Sequence, residues 1–264
     1  MGQMASLSGQ GISSLLIRGH SRFMAEKRTL RNPPLPEVLL DFRVGQRVTL
    51  SQEGLDRLRR TLKSDYPHEE HRHLFLQQKP WSPPEDTGLH GYWLRSEDEC
   101  NIAQFREDGF TFNRLRPYTS WEPVTDEARR LWRLYVDVAC PASVVRVGAR
   151  YINHIQIPEP IRAYSKYFTA PLPVPPTLDT PLRSFLTRIL TPARADGVHL
   201  SITQALVEDQ DPDRATILLD IDAYVARDFD PSDPELWNSL EKIRVAKNAA
   251  FFESITEKTA RLFE

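Results

Sequence analysis

Cysteine is scarce in this chain. With two cysteines, Cys100 and Cys140, in 264 residues, the sequence has no disulfide framework and no cysteine pair at metal-ligand spacing. Such scarcity is typical of proteins from a reducing compartment, so we expect a cytoplasmic location. Free cysteine is among the most buried residue types, and we expect both thiols to be small interior fillers.

Long apolar runs and a large net charge are also missing. No segment approaches the ~18 consecutive apolar residues of a membrane-spanning helix, so we expect no membrane partner. The formal net charge is -2, which encodes no general attraction to a polyanion or an anionic bilayer. Any basic surface must therefore be local.

The chain lacks the short motifs of common catalytic sites. It has no GxSxG or GxxxxGK sequence, and the GQG at residues 9–11 follows no predicted strand. The histidines of PHEEHRH, residues 67–73, lack the four-residue spacing of a helical zinc motif, so we interpret this segment as a solvated loop. Asp220 and Asp222 share one face of a predicted strand and are weak candidates for a divalent cation. We expect no cofactor.

The longest alternating stretch of the chain is VVRVGARYINHIQI, residues 144–157. Because successive strand side chains point to opposite faces, one face is apolar and the other carries Arg146, Arg150 and His154. That polar face is either solvated surface or the floor of a binding site. Asn153 falls on the apolar side, where we expect its amide to be hydrogen-bonded.

The residues before this stretch predict a strand, a helix, a group of strands and a second helix. The strands are expected at 36–44, 73–78, 92–96, 101–106 and 110–115, and the first helix at about 52–65. Apolar residues three and four apart predict an amphipathic helix from Trp121 to Val138, with Thr119 and Glu122 as its capping box.

The residues after the central stretch repeat this order, which predicts an internal duplication. A short helix around 161–168 precedes strands at about 184–191, 199–207 and 215–225, and a long helix at about 233–262 follows. We therefore predict an α+β fold with a poorly ordered extension at 1–30 and duplicated strand-helix-strands-helix units at 31–140 and 141–264.

Two such units would join their sheets edge to edge and place both long helices on one face. The product is one curved, largely antiparallel sheet, backed by the two helices and open on its polar side. This arrangement is similar to the architecture of the TATA-binding-protein fold. The comparison concerns architecture alone, since fold does not imply function.

Five phrases together resemble a known family. In this order and spacing they are similar to a sporadically distributed family of prokaryotic proteins of about this length without an assigned activity. The phrases are RNPPLPEVLLDFR at 31–43, LRPYTSW at 115–121, GARYINHIQIP at 148–158, LLDIDAY at 218–224 and FFESITEKTARLF at 251–263. The resemblance covers residues 31–264 and implies no catalytic residues. The family's patchy distribution implies an association with mobile-element or defence genes.

We expect a non-enzymatic binding or regulatory module whose open sheet face engages a partner protein or an anionic ligand. The expected contact residues are Arg146, Arg150, His154, Arg188 and, near the start of the second helix, Arg116. The alternation around Arg188 leaves its face open. Two alternatives are nucleic-acid binding through the same face and a metal-dependent hydrolase using Asp220 and Asp222 with a histidine. A homo-oligomer is also compatible with the sequence.

Overall fold

The computed structural model describes residues 24–76, 85–170, 172, 182–195, 197–207 and 213–264, with backbone alone for 73–76 and 85–90. The prediction of a poorly ordered N-terminal extension lies outside these ranges for residues 1–23. Residues 24–36, here called the strap, run along the C-terminal end of the chain. Ala25 N–H donates to Ile255 O at 3.0 Å, and Asn32 N–H donates to Phe263 O at 3.0 Å.

Within these ranges, nine strands form one antiparallel sheet in the order β2-β3-β4-β5-β1-β6-β9-β8-β7. The strands are β1 Glu37–Val44, β2 His68–Leu76, β3 Glu85–Arg95, β4 Asn101–Arg106, β5 Gly109–Leu115, β6 Val144–Ile157, β7 Leu186–Pro192, β8 Val198–Val207 and β9 Ala215–Val225. The helices are α1 Gln52–Leu62, α2 Trp121–Ala139, α3 Glu235–Ser254 and α4 Glu257–Ala260, with 3₁₀ turns at Ile161–Lys166 and Arg261–Phe263. The predicted α+β class with an antiparallel sheet is confirmed.

The core lies between one face of this sheet and the helices. Alternate residues of β1 and β6 are fully buried there because they point toward α2 and α3. Trp132 of α2 stacks on Phe42 of β1 with ring centroids 4.8 Å apart. Asn153 is buried on the same face and donates to Leu219 O at 2.9 Å, as the sequence predicted.

The segment PHEEHRH forms an edge strand, and its prediction as a loop is wrong. β2 begins at His68 and pairs with β3. Arg59 of α1 donates to Glu69 at 2.6 Å, and the ring of His71 lies 2.7 Å from the same carboxylate. Charged side chains are common in edge strands because they discourage pairing with other chains. The charged sequence of β2 therefore resembles that of a loop.

Three further local predictions are wrong: two helix ends and the burial of the cysteines. The last long helix ends at Ser254 because Ile255 and Thr256 form β-bridges with Phe168 and Met24. The N-cap of α2 is Ser120 rather than Thr119. Cys140, which ends α2 in a left-handed conformation, is exposed, and Cys100 is half-buried, so the two thiols are not interior fillers.

Within the described residues, every helix is too short or too polar to cross a bilayer.

Candidate functional site

The face of the sheet opposite the helices, here called the polar face, carries a network of ion pairs across its central strands. Arg146 of β6 donates through Nη1 to Asp41 of β1 at 2.7 Å. Its Nη2 donates to both carboxylate oxygens of Asp222 of β9 at 2.7 Å. Arg106 of β4 donates to Asp41 at 3.2 Å, and the Thr111 hydroxyl donates to the same oxygen at 2.9 Å.

Gly148 makes room for this arrangement. Gly148 lies opposite both Asp41 and Tyr224 in the sheet. A Cβ atom at this position would lie 2.8 Å from Nη1 of Arg146, so the guanidinium occupies the space that a side chain would fill. The guanidinium also lies 4.5 Å from the centre of the Tyr224 ring. The small residue therefore lets one arginine reach carboxylates on both neighbouring strands.

The positive charges of this network hold the Asp41 carboxylate ionised. Burial favours the neutral form of Asp41, but the positive charges of Arg106 and Arg146 outweigh burial and keep the pKa of Asp41 below its ordinary value. Arg150 donates to Asp220 at 2.9 Å and 2.6 Å, a two-point contact. This hydrogen bonding to Asp220 raises the pKa of Arg150. Arg146 and Arg150, both predicted as contact residues for a partner or ligand, thus form ion pairs with aspartates of the same chain.

Asp220 and Asp222, the weak metal candidates, accept these arginine hydrogen bonds. Asp220 is 8 % exposed, so its carboxylate has little free surface. In the part of the chain that the structure describes, no group of three or more histidine, cysteine or acidic side chains is arranged to hold a metal ion. A cation at this pair would have to displace an arginine from each aspartate.

His154 and Arg116 come together at one end of the polar face. Both line an open cleft of about 660 Å³ beside the strap. His154 N–H donates to Pro34 O at 2.8 Å, and Arg116 N–H donates to Pro36 O at 3.1 Å. Their backbones therefore hold the strap in place, and their side chains border the cleft.

Arg188 lies on the polar face, at the edge strand β7. The register pairs Arg188 with Thr203, which in turn pairs with Asp220. Its Nε donates to the Ser201 hydroxyl at 3.0 Å. Leu186 and Leu190 flank it on the same face and are 71 % and 64 % exposed. Among the arginines predicted as contact residues, Arg188 is the one flanked by exposed leucines.

The sequence reasoning missed a pocket on the other side of the strap. This pocket, here called the lysine pocket, has a volume of about 230 Å³ and lies between the strap, β6 and α3. Its polar wall contains Tyr118, Tyr151, Asn153 and Lys247, and its apolar wall includes Pro33, Pro34, Phe251 and Phe252. The pocket thus unites segments that are far apart in sequence.

Lys247 is a buried amine in this pocket. Its residue surface is 7 % exposed, and its amine lies 3.2 Å from the centre of the Tyr151 ring. Burial, with a smaller contribution from the positive charge of Arg244, lowers the pKa of Lys247 well below its ordinary value. Among the described residues, no carboxylate counters this effect.

Tyr151 adds a buried hydroxyl to the pocket wall. This hydroxyl makes no hydrogen bond of ordinary length to a described residue, although the Tyr118 hydroxyl is close enough to contribute to its pKa shift. Burial raises the pKa of Tyr151 well above its ordinary value.

A sequence signal for the lysine pocket existed. The buried residues of α3 include Leu236, Leu240, Ile243 and Ala250, at helical spacings of three, four and seven. Lys247 lies on this stripe, four residues after Ile243, so an ionisable side chain occupies a position that should be apolar.

Neither a scan against protein-family models nor a search of curated proteins found a match to this chain.

Proposed function

We propose that the protein is a non-enzymatic binding module that pairs an extended segment of another protein with the outer edge of β7. One observation carries this proposal. Six large hydrophobic side chains of the described residues are exposed, and three belong to this seven-residue strand: Leu186, Ile189 and Leu190. An exposed apolar patch bordered by polar residues is typical of a protein-binding surface.

The backbone of β7 supports the same conclusion. β7 ends the sheet, and its strand partner among the described residues is β8. An edge strand presents alternate N–H and C=O groups on its outer side, which a partner strand can satisfy. Addition of a strand to a sheet edge is a recurring mode of peptide recognition, in which side-chain contacts supply specificity.

The side chains of β7 define the chemistry of the partner. Leu186, Arg188 and Leu190 point to the polar face. The two leucines favour apolar residues, and Arg188, for which the described residues supply a hydroxyl acceptor but no ion pair, favours an acidic residue between them. The expected partner segment is therefore extended, with a carboxylate flanked by apolar side chains.

A second copy of this chain fits the edge less well. The sequence of β7 is LTRILTP and contains no acidic residue. Two β7 strands paired with each other would leave both Arg188 side chains without a carboxylate from the opposite strand. A partner of different sequence satisfies both the leucines and the arginine.

Nucleic-acid binding has weaker support from the same face. Arg146 and Arg150 contact aspartates of this chain at 2.6–2.9 Å. Phosphate binding at these positions would have to replace those contacts, and sequence-independent affinity depends on the number of available basic groups.

Site-specific photo-crosslinking in the native host tests the proposal. A photoreactive residue at position 190 should form an adduct with one protein of another sequence, and Arg188→Glu should abolish this adduct. Position 245 is the matched control because Val245 is 61 % exposed on α3. Adducts with a second copy of the chain, adducts that persist in Arg188→Glu, or equal adducts from position 245 would contradict the proposal.

We further infer that the sheet arose by duplication, with an architecture like that of the TATA-binding-protein fold. The strand order supports this inference. β1 and β6 pair antiparallel at the centre, and the later strands of each half run from an outer edge inward, as β2-β3-β4-β5 and as β7-β8-β9. A long helix closes each half, α2 in the first and α3 in the second.

The resemblance to the sporadic prokaryotic family gives a context for this module. Four of the five phrases that carry it contribute residues to the two cavities beside the strap. Within our proposal, a cytoplasmic role linked to mobile-element or defence genes rests on that resemblance and on the low cysteine content.

A further inference from the structure

We propose that the lysine pocket binds a small organic acid whose carboxylate pairs with the Lys247 amine. This site is separate from the β7 edge, so its occupancy does not depend on the proposed protein partner.

The charges lining the pocket favour an anion. Three cationic residues, Arg28, Arg31 and Lys247, line it, and its lining contains no aspartate or glutamate. Arg28 is engaged by Glu257 and Glu264, each at 2.7 Å. Arg31 is exposed and Lys247 is buried, so basic groups lie both at the surface and in the interior of the pocket.

The Lys247 amine favours a carboxylate in particular. It lies over the Tyr151 ring, and none of the described residues pairs it with a carboxylate. A carboxylate offers two oxygens with free lone pairs, which accept charge-assisted hydrogen bonds from an ammonium group. Binding would therefore supply the counter-charge that the described residues do not provide.

The volume and the apolar wall limit the rest of the ligand. A dry cavity of about 150 Å³ holds benzene, so a pocket of about 230 Å³ accepts one ring or a branched chain together with a carboxylate. Pro33, Pro34, Phe251 and Phe252 supply an apolar surface for that body. The expected class is a monocyclic or branched-chain carboxylic acid.

Binding should be coupled to protonation. The buried amine has a lowered pKa in the empty pocket, and an adjacent carboxylate favours its charged form. Acid binding should therefore raise the pKa of Lys247 and take up protons. Affinity should fall as the pH rises above the pKa of the bound amine.

Calorimetric titration with benzoate, phenylacetate and 4-methylpentanoate tests the proposal. At least one acid should bind with proton uptake, seen as a heat that depends on the ionisation enthalpy of the buffer. Phenylacetamide, the neutral analogue of phenylacetate, should bind at least tenfold more weakly. Failure of all three acids to bind, or equal affinity for the acid and the amide, would overturn the proposal.

Variants locate the site. Lys247→Met should abolish acid binding, while circular dichroism shows that the variant remains folded. Lys242→Met is the matched control, because Lys242 lies on the same helix with its side chain 55 % exposed, and it should bind the acids as the wild type does. Unchanged binding in Lys247→Met would overturn the assignment.

A carbonyl ligand is a distinct outcome. A buried amine of lowered pKa can condense with an aldehyde, losing water to form an imine that cyanoborohydride reduces to a stable secondary amine. If phenylacetaldehyde with cyanoborohydride labels Lys247 and the acids do not compete, the pocket takes carbonyl compounds and the carboxylate proposal is wrong. Protection of Lys247 by the acids would support it.

Discussion

The amine of Lys247 lies 3.2 Å from the centre of the Tyr151 ring, and this cation–π contact takes the place of an ion pair. Aromatic rings attract cations more weakly than carboxylates do, and burial removes the stabilising water. The protein therefore keeps a charge-bearing group in its interior at a cost in stability, which indicates a role other than folding.

Lys247→Met should stabilise the protein by on the order of 1 kcal/mol or more at pH 7, since it removes a buried amine whose charged form is disfavoured by burial. The pKa of Lys247 is lower in the folded chain than its ordinary value of 10.5. Between these two values the unfolded chain binds more protons, so wild-type stability rises with pH across that window. The advantage of Lys247→Met, measured by urea unfolding, should therefore shrink between pH 7 and pH 10; an unchanged difference would contradict the account.

Arg146→Ala should destabilise the protein by about 2–3 kcal/mol, because it leaves Asp41 and Asp222 without their shared donor in a partly buried site. Arg43→Ala is the matched control on the same face, since its side chain is 58 % exposed and reaches Asp41 at 3.4 Å. That change should cost less than about 1 kcal/mol. Chemical denaturation compares the two, and equal losses would show that Arg146 is an ordinary surface arginine.

Asp41→Asn should reduce the acid sensitivity of the fold. The pKa of Asp41 is lower in the folded chain than its ordinary value of 3.8, so its carboxylate contributes stability above that value. This contribution is lost as the pH falls through the folded-state pKa. The wild type should lose more stability than Asp41→Asn between pH 4 and pH 2, and parallel pH profiles for the two proteins would refute the assignment.

Gly109→Ala should destabilise the protein by about 2 kcal/mol or more. Gly109 begins β5 with φ +151°, and an added Cβ would overlap the carbonyl oxygen of Phe42. Gly197 also has a positive φ, +73°, but an added Cβ would meet no atom within 4 Å. Gly197→Ala should therefore cost only about 1 kcal/mol. Thermal unfolding of both variants checks the difference.

The sequence predicted the strands whose two faces differ most. β6 and β9 have the predicted bounds because their buried and polar residues alternate. The first half of β2 was predicted as a loop because its residues are charged on both faces, whereas residues 73–76 of β2 fall within the strand predicted at 73–78. The end of α3 at Ser254 was not predicted, because Ile255 and Thr256 form β-bridges with residues far away in the chain.

The candidate sites depend on contacts between distant residues, which a single sequence does not reveal. Arg146 is 105 residues from Asp41 and 76 residues from Asp222, so the pattern gave its face but not its partners. The lysine pocket likewise unites the strap, β6 and α3. The misplaced charge at Lys247 was visible, but only the packing of these segments makes it part of a pocket.

Amide hydrogen exchange along β7 tests most directly whether this strand offers a free edge to another protein. In the protein alone, alternate amides of Leu186–Pro192 should exchange much faster than those of β9, because their outer hydrogen-bonding positions face solvent. In the complex recovered through position 190, the same amides should become protected. Slow exchange throughout β7 in the free protein, or no added protection in the complex, would contradict the account.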